Sequence, residues 1–142
     1  MKTILRAELS DARIMITAAQ SAATALGVPV CIAVCDESGH LIAFERMEGA
    51  KSSSADIAIN KAFTAASTRK GTHELAAAAQ PGKPAYGVWT AAQGRFMIVG
   101  GGIAVFHGDE TVAAIGVSSG TPDQDRAIAE AGAAAFCAAA GK

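Results

Sequence analysis

The chain of 142 residues contains 34 alanines and 15 glycines, is 51% hydrophobic but only 5% aromatic, and carries a formal net charge of −1. Disorder is excluded, because the low hydrophobicity and high net charge that prevent a core are both absent. A near-neutral chain also has no basic footprint for nucleic acid and no polybasic patch for a membrane surface. One domain over residues 1–142 is expected, and small side chains leave flat apolar surfaces where copies of the chain can meet as a homo-oligomer. Residues 1–9 interleave Lys2, Arg6 and Glu8 with apolar residues, unlike the continuous apolar stretch of a signal peptide. No window approaches the roughly 18 apolar residues of a membrane span. Cys31 and Cys35 fall four apart in an expected strand, about 13 Å from each other and too far to pair. With Cys137 they read as buried thiols of a cytoplasmic protein.

In chain order, Ala12, Met15, Ile16, Ala19, Ala23 and Leu26 recur at helical spacing, with Ser10 as a candidate cap and Gly27 as a left-handed stop. Residues 28–35 form a β-branched strand, and the Asp36-Glu37-Ser38-Gly39 turn leads into a second strand over 40–46. Ser53 and Asp56 resemble a capping box opening a helix from Ser54 to about Arg69. A short helix follows over 73–79 and a loop over 80–87, set by Pro81, Gly82, Pro84 and Gly87. Three strands are expected over 96–99, 103–107 and 111–117. Thr121-Pro122-Asp123-Gln124 then starts a last helix reaching about Ala140. The order α-β-β-α-α-β-β-β-α implies an α+β fold, a five-stranded antiparallel sheet backed by helices, with a profilin-like arrangement as the nearest common architecture.

Few motifs carry chemistry alone. Gly100-Gly101-Gly102 precedes a strand where a dinucleotide loop needs a helix, so the glycines read as a close backbone approach or as a binding wall at Gly101 and Gly102. Gly82-Lys83 lacks the rest of a P-loop. Gly116-Val117-Ser118-Ser119-Gly120 matches GxSxG literally, but no histidine follows it to complete a triad. Ser118 instead stands at a helix N-terminus, where an anion can be received. His40, His73 and His107 have no partners at metal-ligand spacing. A haem iron needs only one axial histidine, and His40, at the edge of a turn, is the candidate ligand. Arg46 and Lys61 can hold a carboxylate, and Lys61 can equally be an ion-paired helix residue, with Asp56 or Asp125 as its partner.

Val34-Cys35-Asp36-Glu37-Ser38-Gly39-His40-Leu41, Arg46-Met47-Glu48-Gly49-Ala50, Asp56-Ile57-Ala58-Ile59-Asn60-Lys61-Ala62 and the Gly116–Asp125 stretch are collinear, and together they resemble a small family. It is the haem-binding or "haem-degrading" family of GlcG-like and HbpS-like proteins, which includes the C-terminal domain of PduO-type cobalamin adenosyltransferases. The chain departs from the family pattern at Ala104, where proline is usual, at Ser119, where glycine is commoner, and at Glu48, where aspartate is usual. The resemblance implies a profilin-like fold, higher oligomers (commonly octamers) and haem as the cofactor of some members.

Two functions follow. The first is an oligomeric small-ligand-binding protein of the haem-binding type, with His40 on the iron, Arg46 and Lys61 on anionic groups, and Tyr86, Gly101, Gly102 and Ser118 completing the site. The alternative is a cofactor-independent isomerase or hydratase acting on a small organic acid, in which Lys61 or Arg46 holds the carboxylate and His40 or Tyr86 moves protons. A purely structural oligomer fits the alanine-rich helices equally well.

Overall fold

A computed structural model describes residues 1–141. Helix α1 (Leu9–Leu26) begins one residue before the candidate cap Ser10, and the Asp11 carboxylate accepts the Glu8 N–H at 2.8 Å. It stops at Gly27, whose φ of 68° suits a residue without a Cβ. Strands β1 (Cys31–Asp36) and β2 (Leu41–Arg46) form the expected hairpin. Its turn is locked by Asp36, whose Oδ1 accepts the N–H groups of Ser38 and His40, each at 2.9 Å.

Helices α2 (Ser54–Thr68) and α3 (Thr72–Ala78) follow, then a 3₁₀ turn (Val88–Thr90) and a four-residue turn α4 (Ala91–Gly94) in which Ala92 and Gln93 are left-handed. Strands β3 (Gly102–His107) and β4 (Glu110–Ser118) and helix α5 (Pro122–Ala139) complete the chain. The α5 start is as expected: the Thr121 N–H donates to Gln124 Oε1 at 3.0 Å, and Thr121 Oγ1 accepts the Gln124 N–H at 3.3 Å.

The sheet has four strands, antiparallel throughout, in the order β2-β1-β4-β3. The fifth strand expected over 96–99 does not form. That apolar run is held by threonine side chains instead of a ladder: Met97 N–H donates to Thr64 Oγ1 at 2.8 Å, and Thr72 Oγ1 donates to the Val99 carbonyl at 2.6 Å. The Ser53 cap also fails, because Ser53 is itself helical in φ and ψ and its side chain caps nothing. Strand β1 starts at Cys31, three residues later than expected.

Helices lie on both faces of the sheet. Ile32, Val34, Ile115 and Val117 point toward α1 and α5, whereas Cys31, Ala33, Cys35 and Ala114 point toward α2. β1 is therefore buried along its whole length. The α2 face is lined by small residues because the helix backbone sits almost on the strands. A Cβ on Gly116 would overlap the Ala58 carbonyl oxygen and lie 2.5 Å from the Ala62 nitrogen; one on Gly102 would lie 2.5 Å from the Lys61 carbonyl oxygen. Gly116 and Gly102 are cross-strand partners, so the two form one seat for α2. Outside the sheet, the N-terminal arm is clamped by a two-pronged contact from Arg6 to Glu37, at 2.8 and 2.6 Å. The Arg6 hydrogen bonds hold the Glu37 carboxyl down at about 2.

Gly116→Ala should cost at least about 3 kcal/mol in a urea titration, since backbone rather than a flexible side chain must move. Gly27→Ala, where a Cβ meets nothing within 4 Å, should cost only about 1 kcal/mol, from its left-handed φ. Equal losses would remove the argument for a helix seat. The Glu37 carboxyl is depressed on folding, so its contribution is present above pH 4.5 and fades as pH falls toward 2. The acid limb of the stability profile should therefore be shallower in Arg6→Ala.

Candidate functional site

The starts of β1 and α5 and the ends of β2 and β4 lie at the same end of the sheet, since Cys31 is level with both Arg46 and Ser118. A cleft of about 300 Å³ opens there between α2, the segment over 95–101 and the β4–α5 junction. Ile57, Met97, Val99 and Pro122 provide apolar lining. Ser54, Ser118, Lys61 and Asp125 provide a polar part, and Lys51 and Ser53 lie nearby in the loop before α2.

Lys61 is the most completely buried large side chain of the site, 1% exposed. Its Nζ donates to the Val117 carbonyl at 2.9 Å and to Asp125 Oδ2 at 3.0 Å, while Asp125 Oδ1 accepts the Gly120 N–H at 2.9 Å. Of the two partners open to Lys61 in the sequence, the structure selects Asp125; Asp56 is exposed. Burial pushes the Lys61 amine down, and the charge and hydrogen bond of Asp125 oppose that shift. Gly101 leaves the room this pair needs. At its φ of 127°, a Cβ would lie 2.8 Å from Lys61 Nζ and 2.6 Å from the Val117 carbonyl oxygen.

The other residues singled out in the sequence are dispersed. Ser118 lines the cleft, and Gly102 supports the α2 backbone. Arg46 lies exposed at the end of β2, at the same end of the sheet but outside the cleft lining. His40 lies on the hairpin turn at the opposite end, about 16 Å along the strands; its side chain is 83% exposed and its Nδ1 lies 3.7 Å from Asp36 Oδ1. Tyr86 is exposed on the loop before β3, edge-on to Trp89 with ring centroids 4.9 Å apart. Within one chain, therefore, Lys61 does not share a pocket with Arg46, Tyr86 or His40, the grouping required by an acid–base site for an organic acid.

Lys51, Ser54, Met97 and Val99 enter the site without a sequence signal of their own, because segments distant in the chain bring them together. No group of three or more histidine, cysteine or acidic residues with metal-binding geometry occurs among the described residues. Cys31 and Cys35 are free buried thiols; burial pushes Cys31 up, and burial with the neighbouring Asp36 charge pushes Cys35 up to about 12.

Removing one charge of the Lys61–Asp125 pair should be worse than removing both. Lys61→Met or Asp125→Leu alone leaves an unpaired buried ion and should cost about 3–5 kcal/mol, while the double variant should recover most of the loss. A denaturant double-mutant cycle measures this; additive losses would show that the two groups are not coupled.

Comparison with known proteins places the chain. Residues 8–134 match the sequence model of a family described as haem-degrading protein HbpS-like. An uncharacterized 15.0 kDa protein from the dhaT-dhaS intergenic region of Citrobacter freundii is 42% identical over 86% of both chains. The corrinoid adenosyltransferase PduO of the same organism is 38% identical over 84% of this chain, which spans only 36% of that larger protein. Among solved structures, Klebsiella pneumoniae protein ORFY is 37% identical, with a TM-score of 0.94 over 97% of this chain and 95% of that one. PduOC, solved as a haem complex, is 33% identical, with a TM-score of 0.88 over 92% and 95%. A fold shared over nearly the full length, with a sequence match from the start of α1 into α5, makes this chain a member of the HbpS-like family.

Proposed function

We propose that this chain binds haem in the Lys61 cleft and works as a homo-oligomer, the octamer being the expected assembly. The observation that carries the reading is the haem complex of PduOC, whose fold this chain shares over almost its whole length. The residues present suit the group: a haem site needs an apolar bed, partners for two propionates and an axial donor. Ile57, Val99 and Pro122 offer the bed, Lys51 and the serines offer anion partners, and the Met97 thioether is the one axial-type donor in the lining. When bound, haem would supply iron chemistry; the chain would supply the bed, the anion partners and the donor atom. Ser118 lines this cleft and Gly101 packs behind its Lys61–Asp125 pair, while Arg46 and Tyr86 would join it through a neighbouring copy. The layered sheet and helices support the profilin-like description.

His40 is the second candidate for the iron. Its imidazole is accessible but outside the cleft, so a haem held there would be a surface ligand. Oligomerisation is supported by exposed Leu41, Tyr86 and Phe106 and by two edge strands, β2 and β3, without partners on their outer sides.

Titration with haemin should give a saturable Soret shift absent from an unrelated control protein. Met97→Ala should weaken binding and change the Soret position, and His40→Ala should leave both unchanged. The reverse pattern would move the iron to the hairpin turn, and no saturable shift would end the haem reading. Light scattering on a sizing column should give a multiple of the 14.2 kDa chain mass; a monomer at micromolar concentration would refute the assembly.

A further inference from the structure

We infer that Ser119 is a positioning residue of the cleft: its hydroxyl ties the loop over 47–53 to the β4–α5 junction and so fixes two walls of the ligand site. The identity of the ligand rests on the haem reading; the tie rests on Ser119 itself.

Ser119 is held in a backbone conformation that its side chain opposes. Four non-glycine residues have positive φ among the described residues. Arg69, Ala92 and Gln93, at 57°, 50° and 59°, sit in the ordinary left-handed well, whereas Ser119, at 120°, lies far outside it. A residue with a Cβ persists there only where its surroundings over-determine it. Strain of this kind is at least comparable to the net worth of one exposed hydrogen bond. Stability alone therefore favours glycine at this position, the commoner residue in the family pattern.

Glycine lacks the hydroxyl, and here the hydroxyl has a specific use. Ser119 Oγ accepts the Lys51 N–H at 3.1 Å, a contact between residues 68 apart in the chain. Both residues line the cleft, Lys51 from the loop before α2 and Ser119 from the β4–α5 junction. Among the described residues, no other hydrogen bond joins residues 47–53 to residues 116–125. The carbonyl of Lys51 is already held: it accepts the Ser54 N–H at 3.0 Å at the start of α2 and the Cys31 thiol at 3.9 Å at the start of β1. Lys51 is thus the point where β1, α2 and the β4–α5 junction are joined, and Ser119 makes the third connection. Without it, Lys51 and Ser53 are free to move relative to Ser118 and Gly120. The cleft then loses the preformed shape that lowers the cost of binding.

Two substitutions separate the tie from the strain. Ser119→Ala removes the hydroxyl and keeps the strained φ, whereas Ser119→Gly removes both. Ser119→Gly should melt about 3 °C above Ser119→Ala. Both should nevertheless speed hydrogen exchange at the Lys51 amide and weaken haemin binding, each about fivefold, the worth of one hydrogen bond. Affinity would then be uncoupled from stability, which a merely structural role does not allow. Unchanged exchange at Lys51 overturns the tie. Faster exchange with haemin held as tightly as by the unsubstituted chain overturns the role in the site and leaves haem binding standing, as does an affinity that follows the melting temperature. An unsubstituted chain that binds no haemin ends the haem reading. In that case the tie is upheld if exchange also quickens at the Ser54 and Gly120 amides, one on each wall, and is overturned if Lys51 alone responds.

Discussion

The backbone of α2 rests on two glycines of the sheet, and most of the site follows from that contact. Gly116 and Gly102 admit the helix to a distance that any Cβ would forbid. From there the Lys61 side chain can reach the Val117 carbonyl at the end of β4 and pass beyond it to Asp125. Were the helix held farther off by alanine or valine, the amine would fall short of both. The same close approach brings Ser54, one residue into α2, up to the end of the sheet. The alanine and glycine excess is thus largely a packing device: large β-branched residues fill the α1/α5 side, and small ones let α2 settle on the other.

The Lys61–Asp125 pair links layers that the sheet separates. Lys61 belongs to α2 on one face and Asp125 to α5 on the opposite face, and they meet past the strand ends. Such a buried pair is weak evidence for net stability, because desolvation of both charges offsets their attraction. Its geometric effect is clearer. It fixes the rotation of both helices at the cleft, and Gly120 with Val117 draws the β4–α5 junction into the same network. A packed ion pair therefore sets the shape of the cleft without lending it a free charge, which leaves Lys51 as its unpaired cation.

The parts of the fold legible in the sequence are those whose signals are local. Gly27 ends α1, Asp36 to Gly39 turns the hairpin, and Thr121 to Gln124 starts α5, each through contacts within a few residues. Two local signals misled. The run Phe96 to Val99 has strand composition, but Thr64 and Thr72 hold its backbone groups and no ladder forms. Ser53 has a capping residue's chemistry, yet its helical backbone turns the hydroxyl away from that role. In the site, Lys61 and Ser118 are readable because they fall in family-like motifs, and Gly101 because it belongs to a run of three glycines. Ser54, Met97 and Val99 are not, because their place depends on how segments some forty residues apart meet over the sheet end. His40 sits in an equally recognisable motif, but that motif describes the hairpin turn at the other end of the strands.

On the proposed reading, the scarcity of aromatics shapes the ligand's environment. A bed of isoleucine, valine, proline and methionine holds a flat ring by apolar contact and a polarizable sulfur, without stacking partners. About 300 Å³ in one chain is at the low end for a small-molecule site, so only one edge of a porphyrin is enclosed. The rest must face water or a second copy of the chain. If a second copy supplies the missing wall, ligand and assembly become linked equilibria: whatever binds only the assembled form stabilises it, and affinity rises with protein concentration. Exposed Tyr86 and Arg46, outside the cleft of their own chain, are then surfaces awaiting that neighbour, and the wall built by Ser54, Ser118 and the Lys61–Asp125 pair is the part of the site each chain completes by itself.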